Sequence, residues 1–406
     1  MSALGPYAPQ FDVRIDDDKL PPGLRASIIS VKLDSGLEGA DRVEVAIANV
    51  GYQWLDHPLL EVDKPLDLLI GYAPDPLVHV FAGEITGVEP TFPSSGIPTI
   101  NIAAQDRMHR LARPKKDRGM QKSIPSMGNF PLPDMLNIQT LAGQLQPDID
   151  PVGGALSLLS MLATHLVAPQ IAQKAVRVQE SLSDLEFLTA IAKDNGWEMY
   201  IDHAAEPRGF ALRFKSMVED FNPDLTLSHG TSLMDFAPRR TTVGDIAGVS
   251  ARVWVESLKT EFLLVLKWDD ETTSFDLRVM PSQVLGISLE EILGKDVAAN
   301  TVDIKPASFA MAPQKLFNEL LPRLNNRLTG SASSVGDPRI QVGKVINMEG
   351  VGQAFGGLYR VTKATHTFDS GGYKTAFEVR KEAWFGQMAV PKGAEGMART
   401  LAQRVA

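Results

Sequence analysis

The chain has 406 residues, too many for one hydrophobic core of ordinary size, so roughly two to four modules are expected. Hydrophobic residues at 44% and charged residues at 22% lie near the globular average, which excludes a disordered or fibrous protein. A net charge of -9 argues against binding to nucleic-acid backbones, and the absence of cysteine excludes disulfides, thiol catalysis and cysteine-ligated metals.

The N-terminal residues do not have the pattern of a secretion signal, because Gly5, Pro6 and Pro9 stand where a basic and then apolar run is required. No apolar run reaches the roughly 20 residues that span a bilayer. We therefore expect a soluble protein that folds in the bacterial cytoplasm.

Short alternating segments bounded by Gly, Pro, Asp or Asn predict β-strands from Phe11 to about Arg113. The predicted strands are 26–33, 42–48, 66–70, 78–81, 84–88 and 99–104. Short connections between so many strands favour a barrel or sandwich, so residues 1–113 are predicted to form a first, tube-like β-barrel domain. Asp16, Asp17 and Asp18 are interpreted as a solvated turn and not as paired catalytic carboxylates, because adjacent residues of a strand point to opposite faces.

The middle of the chain, 114–224, is predicted to be a linker or insertion followed by a small α+β domain. Residues 114–151 have weak periodicity and predict a long connection. Apolar residues at helical spacing predict helices over 155–168 and 182–195. The second helix has a Ser183–Glu186 capping box and a closing Gly196. A strand pair, 197–201 and 210–214, follows it.

The β pattern then returns, and residues 225–386 are predicted to form a second β-barrel domain with a helical insertion. Its predicted strands are 250–255, 261–268, 343–346, 358–367 and 375–379. The inserted helix is predicted over 313–329, ending before Gly330. Residues 387–406 form a C-terminal tail. The fold class is therefore α+β and β-rich, with two similar β-barrel modules flanking a smaller α+β region.

An internal repeat links the two β modules. Residues 91–99 and 367–375 share the pattern Thr-Phe-x-Ser-x-Gly-x-x-Thr without a gap. The preceding strands correspond as well, but Ile100 and Ile102 match Phe377 and Val379 only after a one-residue shift, which would require a bulge. Two unrelated hairpins with the same turn chemistry are the alternative. If the repeat is real, three copies of the chain present six equivalent modules, which lets a threefold assembly match a sixfold one.

Two stretches resemble the late control protein D family, the hub proteins of contractile phage tails, which are related to the N-terminal part of type VI secretion spike proteins. The first runs from Gln179 to Gly196 and the second from Gly357 to Arg380. The residues that carry the resemblance are Glu180, Ser181, Asp184, Phe187, Leu188, Gly196, Tyr359, Val361, His366, Phe368, Gly372 and Tyr373.

The resemblance implies a homotrimer whose two barrels per chain build a pseudo-hexameric ring between the hexameric tail tube and the trimeric spike. It also implies partners among tube and baseplate proteins and a place in a virion tail baseplate or an injection-system particle. No spike-like repeat follows Trp384, so the spike is expected to be a separate polypeptide. The kind of machine, whether phage, bacteriocin or extracellular injection device, stays open.

Catalytic, cofactor and metal sites are not predicted. The seven histidines show no metal-ligand spacing, and His366 is predicted to be a hydrogen-bonded barrel residue and not a general base. The glycines between Gly350 and Gly357 precede a strand and not a helix, so they predict a hairpin turn and not a nucleotide loop. A tail-associated cell-wall hydrolase and a monomeric surface-binding module remain the alternative functions, and no specific binding to nucleic acid or membrane is expected.

One basic cluster stands out in this acidic chain. It consists of Arg107, His109, Arg110, Arg113, Lys115, Lys116 and Arg118. It is either a solvated edge between domains or a contact with another subunit or the tube, where it would face acidic partner residues.

Overall fold

The computed structural model describes residues 8–37, 39–124, 128–131, 134–149, 177–216, 223, 225–241, 248–255, 259–269, 274–281, 301–304 and 312–381. The predicted helix over 155–168 and the predicted tail over 387–406 lie outside these residues. No helix within them is long and apolar enough to cross a membrane.

Strands account for most of the described chain. They are β1 (Ala8–Ile15), β2 (Asp18–Lys19), β3 (Ile28–Gly36), β4 (Arg42–Ala48), β5 (Pro65–Ala73), β6 (Val78–Thr91), β7 (Thr99–Gln105), β8 (Lys116–Ile124), β9 (Gly128–Pro131), β10 (Gln146–Ile149), β11 (Arg177–Leu182), β12 (Trp197–Ile201), β13 (Ala211–Ser216), β14 (Leu225–Ser228), β15 (Leu233–Arg240), β16 (Gly248–Val255), β17 (Thr260–Asp269), β18 (Ser274–Pro281), β19 (Thr301–Ile304), β20 (Leu328–Val335), β21 (Val345–Glu349), β22 (Gly357–Asp369) and β23 (Gly372–Arg380).

The helices are α1 (Pro22–Ala26), α2 (Asp134–Leu141), α3 (Asp184–Asn195) and α4 (Ala312–Asn325), with short 3-10 helices at Val50–Tyr52, Pro58–Leu60 and Arg107–Ala112. The β-rich α+β fold class is confirmed.

The first β module, defined as β1 to β7, has the strand order β1-β5-β6-β7-β4-β3, with β2 beside β1. Strand β4 shows why these segments form a half-buried sheet: Val43, Val45 and Ile47 alternate with more exposed residues, so one face is apolar. Residues from all the longer strands of the module pack into one core, which explains why the sheet curls around it.

The second β module, defined as β14, β15 and β20 to β23, has the strand order β14-β21-β22-β23-β20-β15. Numbered by their sequence within each module, with β2 left out, the strands of both modules follow the order 1-4-5-6-3-2. The four antiparallel pairings from β5 to β3 recur from β21 to β15. The first pairing differs, because β1 is antiparallel to β5 whereas β14 is parallel to β21. The internal repeat found in the sequence therefore extends to the strand topology of the two modules.

The register is repeated as well. One cross-strand row of the first module consists of Val88, Ile102, Val45 and Val31, and the matching row of the second consists of Ala364, Phe377, Ala332 and Phe236. The ladder between β6 and β7 shifts between Ile85 and Gly87, and the ladder between β22 and β23 shifts between Val361 and Lys363. A second pair of shifts, at Ile29 and Met234, also falls at equivalent positions. Shared bulges at matched positions exclude chance convergence of two turns.

The one-residue shift in the repeat alignment has a local cause. Thr91 pairs with Thr99, whereas Thr367 pairs with Lys374. Ile102 is therefore equivalent to Phe377 and not to Val379. The longer connection of the first hairpin takes up the shift, so the additional bulge that the alignment seemed to require is not needed.

The remaining elements form two small α+β units. In one, α2 and α3 cover the sheet β10-β13-β12, with a second sheet, β11-β8-β9, beside it. In the other, α4 covers the sheet β18-β17-β16-β19, with its own core. This second unit is inserted between β15 and β20, so the predicted strands 250–255 and 261–268 belong to the insertion and not to the barrel.

Helix α3 has the predicted ends. Ser183 Oγ accepts the amide hydrogen bond of Glu186, and the Glu186 carboxylate accepts that of Ser183. Gly196 has φ +70° and closes the helix. Two of the backbone amides at the start of the helix, which have no partner within it, are thereby hydrogen-bonded.

Three sequence predictions were wrong in detail. The segment 114–151 is not a loose connection, because it contains β8, β9, α2 and β10. The two predicted strands 78–81 and 84–88 are the single strand β6. Helix α4 ends at Asn325 and Gly330 lies inside β20, where a side chain would collide with the ring of Phe236.

Candidate assembly interface

The two β modules are joined inside the chain by a strand pairing that we call the in-chain seam, β3 with β22. It runs antiparallel from Gly36 opposite Lys363 to Val31 opposite Phe368. At its centre the Thr365 hydroxyl donates to the Asp34 carboxylate at 2.7 Å. The seam makes both modules one continuous 13-stranded sheet.

The tip of the β22–β23 hairpin fills a site in the first module. Phe368 is 6% exposed and stacks on Tyr373 with ring centroids 4.1 Å apart. The Phe11 ring meets Phe368 edge-on at 5.4 Å. These residues belong to the core of the first module although Phe368 and Tyr373 come from the second.

Each module also has an edge that is open among the described residues. Strand β15, equivalent to β3, ends the large sheet and pairs only with β20 beyond Leu233. Residues 87–91 of β6, equivalent to the part of β22 that takes β3, pair only with β7. The chain therefore contains a second edge strand and a second hairpin equivalent to those of the seam. Within the described residues these two do not pair with each other.

Apolar side chains stand exposed at these open edges. Phe92, the equivalent of Phe368, is 56% exposed, and Ile97 in the same connection is 59% exposed. Met234, at the bulge where β15 begins, is 51% exposed. Large apolar residues exposed at each open edge indicate that each edge is a contact surface.

Part of the basic cluster ties the first module to the α+β unit. Glu84 is 6% exposed and accepts from Arg110 Nε at 2.7 Å and lies 3.3 Å from Arg107 Nε. The guanidinium of Arg107 lies over the ring of Phe210. Arg107 and Arg110 are therefore engaged within the chain.

Asp184 engages a second part of the cluster at the start of α3. It pairs with Lys116 Nζ at 2.7 Å and with Arg118. Burial would raise the pKa of Asp184, but the hydrogen bonds from Lys116 and Gln179 and the charge of Arg118 outweigh burial and lower it. An acidic residue in the first turn also suits the helix dipole.

Two further members of the basic cluster face solvent, whereas His109 is partly buried and lies 4.0 Å from Glu84. Arg113 is exposed and has no ion pair among the described residues, while exposed Lys115 attracts the carboxylate of Glu186. Arg113 and Lys115 are thus the members of the cluster that remain available to a partner.

The motif residues of the first stretch have structural positions. Glu180 is exposed, and Ser181 has φ +52° with its amide donating to Asp117 at 2.6 Å. Phe187 and Leu188 lie in the core of the α+β unit. Gly196 packs against Asn318 of α4, where an added Cβ would come within 2.6 Å of the amide oxygen.

The motif residues of the second stretch lie in the hairpin and its core. The fully buried Tyr359 donates to the carbonyl of Phe355 at 2.6 Å, and Gly372, φ +97°, closes the β22–β23 turn. His366 is hydrogen-bonded as predicted: Nε2 donates to the Ile340 carbonyl at 3.0 Å and Nδ1 accepts from the Tyr373 hydroxyl at 2.9 Å. Burial lowers the pKa of His366 to about 4.

One buried cluster, Asp41, Asp106 and His203, has ligand atoms close enough to hold a metal ion. These atoms already have protein partners. His203 Nδ1 accepts from the Ala82 amide at 3.1 Å and Nε2 lies 3.0 Å from Asp41, while Asp106 accepts from the amides of Asp41 and Met108, each at 2.8 Å. Burial and the neighbouring charge of Asp41 raise the pKa of Asp106 to about 7. The cluster fits a structural tie between the first module and the α+β unit better than a metal centre.

Solved structures with the same fold were found for nearly the whole chain. The tail protein of Neisseria meningitidis MC58 has a TM-score of 0.55 and 11% identity over 93% of this chain and 98% of that one. The 43 kDa tail protein of prophage MuSo2 from Shewanella oneidensis has a TM-score of 0.55 and 10% identity over 92% and 98%. This is the fold of phage tail proteins.

The E. coli c3393 protein, a type VI secretion component described as structurally similar to the T4 tail proteins gp27 and gp5, has a TM-score of 0.54 and 12% identity over 93% of this chain and 79% of that one. No family model and no curated protein matches the sequence. The resemblance carried by the two motifs is thereby confirmed at the level of the tail-protein fold.

The open strand edges of the two modules were missed from the sequence, whereas Phe92 and Phe368 were noted in the repeat. The open edge of β15 and residues 87–91 of β6 carry no motif. The signal that could have found them is the repeat itself: aligning Phe92 with Phe368 already placed an aromatic residue at both hairpin tips.

Proposed function

We propose that this chain is the structural hub of a contractile phage tail or related injection system, a homotrimer that connects a hexameric tail tube to a trimeric spike and forms part of the central channel. The duplicated β module supports this role. Three chains with two equivalent modules each supply six similar surfaces to a sixfold partner and keep threefold symmetry for the other.

The single observation that carries the proposal is the in-chain seam. It joins two equivalent modules through non-equivalent surfaces, the edge of one and the hairpin of the other. A heterologous contact of this kind generates a ring when its rotation closes. Within the described residues, each chain still has one unpaired edge and one hairpin without a partner module, as a segment of a ring requires.

Native mass measurement and negative-stain imaging test the proposal directly. We expect a particle with the mass of three chains and a ring with six similar lobes. A monomer at all accessible concentrations, or a ring with another subunit number, would contradict it.

The expected partners are a tube protein, a separate spike protein and baseplate proteins, assembled in the bacterial cytoplasm and carried in the tail or injection particle. Arg113 and Lys115 remain the candidate contact to an acidic partner surface. Reversal of Arg110 would break its pair with Glu84, so Arg113→Glu is the cleaner variant. It should weaken attachment to the tube at physiological salt, while Lys19→Glu on β2 should not.

The proposal includes a non-enzymatic role, and a peptidoglycan clearing assay distinguishes it from that of a tail-associated hydrolase. We expect no clearing by the purified chain. Robust clearing that one acidic substitution abolishes would favour the hydrolase.

A further inference from the structure

We infer that a second copy of this chain docks the tip of its β6–β7 hairpin on the open edge of β15, forming a chain-to-chain seam that copies the in-chain seam but is interrupted by two prolines. The inference rests on the proposed ring and specifies its contact residue by residue.

The register of this contact follows from the repeat. In the in-chain seam, Leu33 lies opposite His366 and Asp34 lies opposite Thr365. The matched rows of the two modules make Pro238 and Arg239 the equivalents of Leu33 and Asp34. They make Pro90 and Glu89 the equivalents of His366 and Thr365. Between chains, Pro90 therefore faces Pro238 and Glu89 faces Arg239.

The residues that meet in this register are complementary. Glu89 and Arg239 are exposed, opposite in charge, and without an ion pair among the described residues. Opposite charges directly across an antiparallel pair stabilise it. Phe92 comes to lie at the place that Phe368 occupies in the first module, next to the half-buried Phe236 of the other copy. The contact thus covers the most exposed aromatic residue of the hairpin.

The prolines remove the hydrogen bonds at the centre. The Pro98 carbonyl accepts from Asn49 in the direction of β4, so backbone alternation turns Thr99 toward Thr91 and Pro90 toward the open edge. The Thr241 amide donates to Arg327, so Pro238 likewise faces the open edge of β15. Neither nitrogen carries a hydrogen, so each of the two carbonyls faces a proline ring of the other strand and accepts no hydrogen bond there.

This arrangement explains how a chain with two open edges avoids indiscriminate pairing. Proline on an edge strand is a common protection against aggregation. In the docked register the prolines leave side-chain contacts on both sides, Glu89 with Arg239 and Phe92 with Phe236. The chain-to-chain seam is therefore specific, but weaker than the in-chain seam, because proline rings stand where two central hydrogen bonds would join the strands.

Disulfide trapping tests the register without background, because the chain has no cysteine. Glu89→Cys with Arg239→Cys should give a covalent trimer on non-reducing gels after mild oxidation. The matched control, Thr365→Cys with Asp34→Cys, should close inside one chain and leave its mass on the gel unchanged. The slipped pair, Glu89→Cys with Arg240→Cys, should not form because the two side chains point to opposite faces.

A second measurement tests the prolines. Pro90→Leu with Pro238→Leu restores two donors and should lower the concentration at which the trimer dissociates about tenfold or more. Pro147→Leu, on β10 of the α+β unit, should leave that concentration unchanged. An unchanged or raised dissociation concentration in the double variant would overturn the interruption by proline.

The outcomes separate this inference from the proposed ring. A trimeric mass without the Glu89–Arg239 crosslink overturns the seam and leaves the trimer standing. A chain that remains monomeric and forms no crosslink overturns both. A crosslink by the slipped pair in place of the predicted one overturns the register.

Discussion

Each β module has one central hairpin, and these two hairpins have equivalent positions but opposite surroundings. The β22–β23 hairpin lies in the in-chain seam with Phe368 buried, whereas the β6–β7 hairpin projects with Phe92 exposed. Strand order, register and bulges are the same in both, so the fold of the module does not decide which aromatic is covered. What decides it is whether another module precedes the hairpin's own module in the same chain.

The modules differ also where the rest of the chain enters them. Strand β1 is antiparallel to β5, whereas β14 is parallel to β21 and arrives from the α+β unit. The second module carries the α4 unit between β15 and β20, at a place where the first module has only residues 37–41. The shared ladders tolerate both changes because one affects an outer strand and the other a connection between strands, and both leave the central pairings intact.

The largest expected effect separates the two hairpin tips. Phe368→Ala removes a ring stacked in the first core and should lower the free energy of unfolding by about 3–5 kcal/mol. Phe92→Ala removes a solvent-exposed ring and should change it by no more than about 0.5 kcal/mol in the dissociated chain. Urea unfolding followed by tryptophan fluorescence measures both. Equal losses would mean that the tips are in equivalent surroundings.

The second effect is a pH dependence of stability. Only the in-chain seam should show it, because the equivalent of His366 at the open edge is Pro90. Burial lowers the pKa of His366 from 6.5 to about 4. Between these values the unfolded chain binds the proton and the folded chain does not, so stability is full above about pH 6.5 and falls as the pH drops toward 4. The loss approaches roughly 3 kcal/mol.

His366→Gln provides the control for this prediction, because a glutamine can still donate to the Ile340 carbonyl and does not titrate. Unfolding curves of both proteins at several pH values between 7 and about 4 should diverge, with the variant losing less stability. Parallel curves would show that His366 does not contribute to the acid sensitivity.

The third effect concerns equivalent buried positions of opposite charge, Glu84 on β6 and Arg360 on β22. Glu84 neutralises Arg107 and Arg110, whereas Arg360 donates to the Gly343 carbonyl at 2.8 Å. Glu84→Gln should cost about 2 kcal/mol, because charged hydrogen bonds to a buried acid are lost.

The matched control for Glu84→Gln is Glu206→Gln, whose pair with Arg208 is solvent-exposed. It should change the free energy of unfolding by less than about 0.5 kcal/mol. If both variants unfold at the same urea concentration, Glu84 does not hold the first module to the α+β unit.

Much of this architecture could be predicted from local pattern. Strand β4 and helix α3 were placed within two residues, because alternation and a capping box are short-range signals that tertiary packing did not override. Strand β1 was missed and 114–151 was interpreted as a long connection, because strands such as β1 and β8 depend on distant partners, β5 and β11.

The open edges and the exposure of their aromatic residues were less predictable for a physical reason. Exposure depends on which strands pair across hundreds of residues, and neither Phe92 nor Phe368 shows locally which of them is buried. The basic cluster was open to two interpretations for the same reason, an edge between domains or a contact with a partner, because Glu84 and Asp184, which neutralise four of its members, are distant in sequence.

The smallest effect tests a backbone feature that the two modules share. Asp63 and Gly343 occupy equivalent turns, with φ +65° and +81°, and their amides donate to Ile85 and Val361. Gly343→Ala should cost about 1 kcal/mol or slightly more, because a Cβ is strained at this φ and would come within 3.2 Å of the Tyr200 ring. Asp63→Gly should be nearly neutral, since relief of the left-handed conformation offsets the greater freedom of the unfolded chain. Paired urea titrations decide the point, and a loss at Asp63→Gly as large as at Gly343→Ala would mean that the Asp63 side chain, and not its backbone, stabilises the turn.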